Sequence, residues 1–191
     1  MKLEQKIGVI GNGFVGGAVE FGFSPNVGCD AEVRVYDKNP NKSTHGLEET
    51  VNKSDFIFLS VPTPANEDGS INLDILEGAL RDINEVHNGR DNAIIIRSTV
   101  IPGTTWALQT KYPQLNILFN PEFLTERSAN FDFINQSRFI IGNSGQQISW
   151  AKSEEFVELL KDRFGDCIAV QETNYETAEL IKYMSNCFFA T

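Results

Sequence analysis

The chain has 191 residues, 41% of them hydrophobic and 22% charged, with 16 Lys and Arg against 26 Asp and Glu for a formal net charge of −10. That is the composition of a globular domain long enough to fold without disulfide or metal staples, and its charge repels phosphate backbones and anionic lipid, so no nucleic-acid or membrane partner is expected. No apolar run approaches the roughly 20 residues of a membrane helix, no apolar signal-peptide core opens the chain, and the cysteines (Cys29, Cys167 and Cys187) are too scattered for a disulfide framework or a zinc site; a cytoplasmic protein without a metal is expected.

In chain order, short apolar runs at 7–10, 32–36, 56–61, 93–96, 115–119, 138–141 and 167–170 read as strands. Most are continuously apolar rather than alternating, which suits strands covered on both faces. Helical stretches separate them. One follows the glycines at 14–21, and a second carries Leu73, Leu76, Ala79, Leu80, Ile83 and Val86 at three- and four-residue spacing. A weaker stripe holds Ile148, Ala151, Phe156, Leu159 and Leu160. The last, at 175–189, places Ile181, Met184 and Phe188 on one face, expected as core, and Lys182 and Asn186 on another. Strand–helix alternation predicts an α/β fold, a doubly wound, mostly parallel Rossmann-type sheet with helices on both faces.

The first run leads straight into Gly11-Asn12-Gly13-Phe14-Val15-Gly16. In this G-x-G-x-x-G pattern the first glycine permits a tight turn, the second lets a pyrophosphate approach the backbone, and the third lets helix and strand pack closely. The helix N-terminus then offers N–H groups and a positive dipole end to phosphates. The second run ends in Asp37, 21 residues after Gly16, where a carboxylate can bond ribose hydroxyls and repel a 2′-phosphate. NAD is therefore expected over NADP, although Lys38 and Lys42 weaken the preference; S-adenosylmethionine and FAD use similar loops.

Ligands of open α/β sheets bind beyond the carboxyl ends of the strands. Three further loops fall there: Ser60-Val61-Pro62-Thr63-Pro64, Arg97-Ser98-Thr99-Val100-Ile101-Pro102-Gly103-Thr104 and Asn120-Pro121-Glu122-Phe123-Leu124-Thr125-Glu126-Arg127. Each sets hydroxyls or carboxylates on one rim. A lysine beside an amide, as Lys182 stands to Asn186, can stabilise an oxyanion in a dry cleft.

Taken together, these segments resemble the N-terminal part of the UDP-glucose/GDP-mannose dehydrogenase family. The resemblance rests on 11–16, Val61-Pro-Thr-Pro64, Ser98-Thr-Val-Ile-Pro-Gly-Thr104, Asn120-Pro-Glu-Phe-Leu124, Arg138-Phe-Ile-Ile-Gly142 and Ala178-Glu-Leu-Ile-Lys-Tyr-Met-Ser-Asn186, in family order. It implies NAD-dependent oxidation of the C6 alcohol of a nucleotide sugar to a carboxylate, through an aldehyde trapped by a cysteine thiolate and a thioester hydrolysed by water. By the same resemblance Gly11, Asn12, Gly13, Phe14, Val15, Gly16, Asp37, Lys42, Val61, Thr63, Ser98, Thr99 and Glu126 hold NAD. Thr99, Glu122, Lys182 and Asn186 are catalytic: Thr99 orients water, Glu122 is the acid/base, Lys182 stabilises oxygen charge and Asn186 stands beside it. Glu122, Phe123, Leu124, Lys182 and Asn186 contact the sugar nucleotide.

Arg127 departs from the family's usual glycine, and 24–31 is idiosyncratic. None of the three cysteines matches the family's nucleophile. The chain reads as a fragment, or as a protein with an unusual end: an NAD-binding domain at 1–172, then at 173–191 the start of a helix toward a middle dimerisation domain. UDP-glucose is the expected substrate and a homodimer the expected assembly of the full-length family. A GDP-mannose enzyme, a non-catalytic NAD-binding module and another Rossmann dehydrogenase are the alternatives.

Overall fold

A computed structural model describes residues 4–190. Seven strands form one sheet: β1 (Ile7–Ile10), β2 (Val33–Tyr36), β3 (Phe56–Leu59), β4 (Ala93–Ile96), β5 (Asn116–Phe119), β6 (Arg138–Asn143) and β7 (Ala169–Asn174). Among the described residues the seven α-helices are α1 (Phe14–Gly22), α2 (Leu47–Asn52), α3 (Asp74–Val86), α4 (Thr104–Lys111), α5 (Ala129–Ile134), α6 (Gln147–Phe164) and α7 (Tyr175–Ala190).

The strand order is β2-β1-β3-β4-β5-β6-β7. β1 pairs in parallel with β2 on one side and with β3 on the other. The chain thus leaves β1 one way through α1 and passes back over it through α2. Right-handed crossovers in opposite directions must lie on opposite faces, so helices cover both. One apolar layer lies under α1, α5 and α6, around Val19, Phe23, Phe58, Phe133 and Phe156. The other lies under α2, α3, α4 and α7, around Val51, Leu80, Leu108 and Tyr175. β1, β3 and β4 are buried at every position, which is why their sequences are unbroken apolar runs.

The parallel run ends at β5. β6 is antiparallel to it and meets it at a single ladder pair, Phe119 with Gly142; β7 then follows β6 in parallel. Side chains reinforce this narrow seam. Asn120 donates through Nδ2 to the Ile140 carbonyl at 2.8 Å, and its Oδ1 accepts from Arg97 Nη1.

Two expectations need correction. Of the face expected as core on α7, Ile181 is half-buried, but Met184 is 59% and Phe188 75% exposed. The helix instead buries Tyr175, Ala178, Glu179 and Lys182, because its polar pair meets the ends of β4 and β5. The last strand begins at Ala169 rather than Cys167, whose thiol is exposed in the preceding turn.

Candidate functional site

Between β1 and β3 the winding reverses, and a cleft of about 450 Å³ opens beyond the strand ends. Such a switch point is where an open α/β sheet leaves room for a ligand. Of the residues expected at the site, Gly11, Gly13, Phe14, Val15, Asp37, Lys42, Val61, Thr63, Ser98, Thr99 and Glu122 line it.

The glycines divide by physical role. Gly11 has φ +89°, and a Cβ there would lie 2.4 Å from the Ser60 carbonyl oxygen. A Cβ on Gly16 would lie 2.0 Å from the Gly11 carbonyl oxygen. Both are therefore demanded by the fold. A Cβ on Gly13 would meet nothing within 4 Å. The space above Gly13 is open, at the end of a helix whose first turn has no acidic residue and no side-chain cap. An uncapped N-terminus beside an open cradle fits a phosphate group, so the chain's residues fit a dinucleotide.

Asp37 stands at the lip. Its Oδ2 accepts the Asn12 backbone N–H at 2.7 Å, and its Oδ1 that of Asn39 at 2.8 Å. The Asn12 side chain donates to Glu20 at 3.1 Å and to the Lys42 carbonyl at 3.0 Å, tying the glycine loop to the turn that carries Lys42. Ile10, Leu47, Ile75 and Ala79 make an apolar wall beside Asp37. This end of the cleft, with a carboxylate at the rim and an apolar slot, suits a nucleoside.

The other end is polar and buried. Ser98 Oγ donates to the Val61 carbonyl at 2.7 Å and accepts the Val61 N–H at 3.1 Å. The Thr63 hydroxyl donates to the Thr99 carbonyl at 2.7 Å. These bonds lock the loops after β3 and β4 together, with Thr99 half-buried on the cleft wall. After β5, Glu122 Oε1 accepts from Lys182 Nζ at 2.9 Å, their side chains 9% and 5% exposed. Glu122 Oε2 accepts the Leu124 N–H at 2.7 Å. Lys182 Nζ lies 5.4 Å from the centre of the Phe123 ring. An ammonium has three donors, and Glu122 takes one.

Two residues that the sequence did not single out shape this end. Arg97, fully buried, lies between the Phe58 and Phe133 rings at 5.9 and 5.7 Å. Burial lowers its pKa to about 10, so it remains a cation at neutral pH. Glu179 accepts the Gly103 N–H at 2.6 Å and the Thr105 N–H at 2.7 Å, capping α4; burial pushes its carboxyl above the usual range. One turn apart on α7, Glu179 and Lys182 hold the loops after β4 and β5. A charge that directly follows a strand, or sits on an amphipathic helix, looks the same in sequence whether solvated or buried.

The profile of the UDP-glucose/GDP-mannose dehydrogenase family, NAD binding domain, matches residues 35–161. The chain belongs to that family. The NAD-binding domain is 36% identical to the uncharacterized protein MJ1054 of Methanocaldococcus jannaschii, across 98% of this chain and 24% of that protein. It is 33% identical to the UDP-glucose 6-dehydrogenase TuaD of Bacillus subtilis, across 78% of this chain and 32% of that enzyme. Its fold matches a UDP-glucose dehydrogenase from Pyrobaculum islandicum with a TM-score of 0.78 and 26% identity, across 97% of this chain and 50% of that one. The chain thus spans at most half the length of these relatives.

The remaining expected residues of this NAD-binding domain, Asn12, Gly16, Phe123, Leu124, Glu126, Lys182 and Asn186, are not among those lining the cleft. Gly16 is buried beneath the loop and Leu124 is half-buried, whereas Phe123 and Glu126 are exposed. Glu126 lines a neighbouring hollow. Asn186, one turn beyond Lys182, is exposed. Cys29 is buried in the layer under α1, and Cys167 and Cys187 are exposed; none of the three lines the cleft. Among the described residues no cluster of His, Cys, Asp and Glu could hold a metal, and no helix is long and apolar enough to cross a membrane.

Proposed function

We propose that this chain is the NAD-binding part of a UDP-glucose 6-dehydrogenase, which oxidises the C6 alcohol of UDP-glucose to UDP-glucuronate with two NAD. The observation that carries the reading is the buried Lys182–Glu122 pair, whose Glu122 lines a cleft that also presents Asp37 and an apolar slot. An ion pair out of water contributes little net stability, so its retention at a cleft is better explained by chemistry. The likeness to TuaD and to the Pyrobaculum enzyme favours UDP-glucose over GDP-mannose.

On this reading Gly11, Asn12, Gly13, Phe14, Val15 and Gly16 hold the pyrophosphate, and Asp37 and Lys42 hold the adenosine ribose. Val61, Thr63, Ser98, Thr99 and Glu126 continue the NAD site. NAD, when bound, supplies the hydride acceptor. Lys182 donates to the substrate oxygen as negative charge grows on it, and Glu122 accepts or returns a proton. Thr99 orients water, Asn186 supplies an amide beside Lys182, and Phe123 and Leu124 contact the sugar nucleotide. Residues 1–172 form the NAD-binding unit, 173–191 lead toward a dimerisation domain, and the active assembly is a homodimer. Because no cysteine of this chain lines the cleft, the chain alone binds NAD without converting UDP-glucose.

Calorimetric titration with NAD, NADP and UDP-glucose tests this, with Asp37→Ala alongside and thermal unfolding to establish that each sample is folded. Micromolar-to-millimolar NAD binding that Asp37→Ala weakens supports the reading. A folded chain that does not bind NAD overturns it, and NADH formation from UDP-glucose by this chain alone overturns its last clause.

A further inference from the structure

The pyrophosphate of a dinucleotide carries about one negative charge per phosphate, and this chain has a formal net charge of −10. A helix dipole alone stabilises an anion only modestly at an exposed site, so a cation near the glycine loop matters. At the cleft's far end Lys182 pairs with Glu122, and Arg97 donates through Nη1 to Asn120 while its Nε and Nη2 are buried without a hydrogen-bond partner among the described residues; both stand at the ends of β4 and β5, away from the glycine loop. Lys38 and Lys42 line the Asp37 end.

A second hollow, of about 440 Å³, lies on the other flank of the glycine loop. Gly13, Phe14 and Gly17 form one wall, and Glu126, Arg127 and Ser128 another. Gly13 and Phe14 therefore separate the two hollows and border both. Arg127 sits in a 3-10 turn, Glu126–Ser128. That turn is anchored by Asp132, whose Oδ2 accepts the Thr125 N–H at 2.8 Å and the Ser128 hydroxyl at 2.9 Å. Asp132 is thus engaged elsewhere, while the exposed Glu126 carboxylate shares the hollow with Arg127. Arg127 itself is exposed, and among the described residues it has no ion-pair or hydrogen-bond partner.

We propose that Arg127 is an NAD-binding residue, which places its guanidinium on a phosphate oxygen of the pyrophosphate above Gly13. This rests on the NAD reading given above and adds a contact to it. A guanidinium matches a phosphate with two parallel N–H donors and stays charged at all working pH values. Arg127 supplies the charge that the loop backbone lacks, from the side opposite the cleft.

The test is calorimetric titration of the chain and of Arg127→Gln and Arg127→Lys with NAD, ADP-ribose and adenosine. Arg127→Gln is expected to bind NAD and ADP-ribose about tenfold more weakly, the value of one charge-assisted contact, and adenosine as before. Arg127→Lys keeps the charge but loses the second parallel donor, and its NAD affinity is expected to fall between those of the parent chain and Arg127→Gln. The gap between parent and Arg127→Gln narrows as the Debye length falls from about 30 Å at 0.01 M salt to about 3 Å at 1 M. Unchanged NAD affinity in Arg127→Gln overturns the proposal. An equal loss for all three ligands also overturns it, since it marks a purely structural role. If the folded parent chain binds no NAD, the functional reading itself falls, and this shows in the parent before any variant is compared.

Discussion

Replacing Gly13 and Gly16 separately by alanine should split binding from stability. At Gly16 the new methyl group would stand 2.0 Å from the Gly11 carbonyl oxygen and 3.2 Å from Val9 Cγ1. Ordinary contact begins near 3.4 Å, so α1 and the end of β1 must part by more than an ångström. Overpacking of this kind costs about 1–3 kcal/mol or more, offset by up to about 1 kcal/mol from replacing a helical glycine. At about 2–4 °C per kcal/mol for a chain of this size, Gly16→Ala lowers Tm by several degrees. Gly13 has φ −85° and ψ −157°, which alanine adopts freely, and its Cβ meets nothing. Gly13→Ala should therefore leave stability within about 0.5 kcal/mol. Its methyl group fills the phosphate cradle, however, and NAD affinity falls at least about tenfold, or about 1.4 kcal/mol. Urea unfolding and NAD calorimetry on both variants decide the matter. The reasoning is refuted if Gly13→Ala binds NAD as tightly as the parent, or if it destabilises the chain as much as Gly16→Ala.

Lys182→Met leaves the Glu122 carboxylate buried without its partner and should cost about 3–5 kcal/mol in urea unfolding, most of it regained when Glu122→Leu is added; additive effects of the two substitutions would contradict a coupled pair. Burial holds the Cys29 thiol above its ordinary value of 9.0. A colorimetric thiol titration near pH 8 should thus find Cys167 and Cys187 fast and Cys29 slow until denaturant is added, and three equal rates would refute its burial. The sign of the pH effect follows. Above pH 9 the unfolded thiol ionises first, so the folded state holds more protons and stability falls as pH rises; Cys29→Ala removes that part of the slope.

Much of the fold was legible because most strands are buried on both faces. Runs such as Phe56–Leu59 and Ala93–Ile96 have no polar face to confuse the pattern, and 73–86 shows its period because α3 has one wet face. α2, α4 and α5 were not assigned as helices. They span six, eight and six residues, too few turns for a period to stand out, and tertiary packing stabilises them rather than propensity. That Gly11, Gly13 and Asp37 line one cleft was legible for a related reason: a glycine loop and the acidic end of the next strand are set by local backbone geometry, which spacing along the chain records. The face of α7 was misread because amphipathic spacing marks faces without saying which one turns inward.

The sequence by itself determined the alternation of strands and helices, the glycine turn with Asp37 beyond it, and the family, since each is a matter of local spacing and residue type. Tertiary structure alone decided that β6 runs against β5, that Arg97 lies buried between two phenylalanine rings, and that Lys182 turns inward to Glu122 across 60 residues of chain. Burial and long-range pairing depend on which surfaces meet, and only packing the helices onto the sheet settles which polar side chains lose water and must find one another.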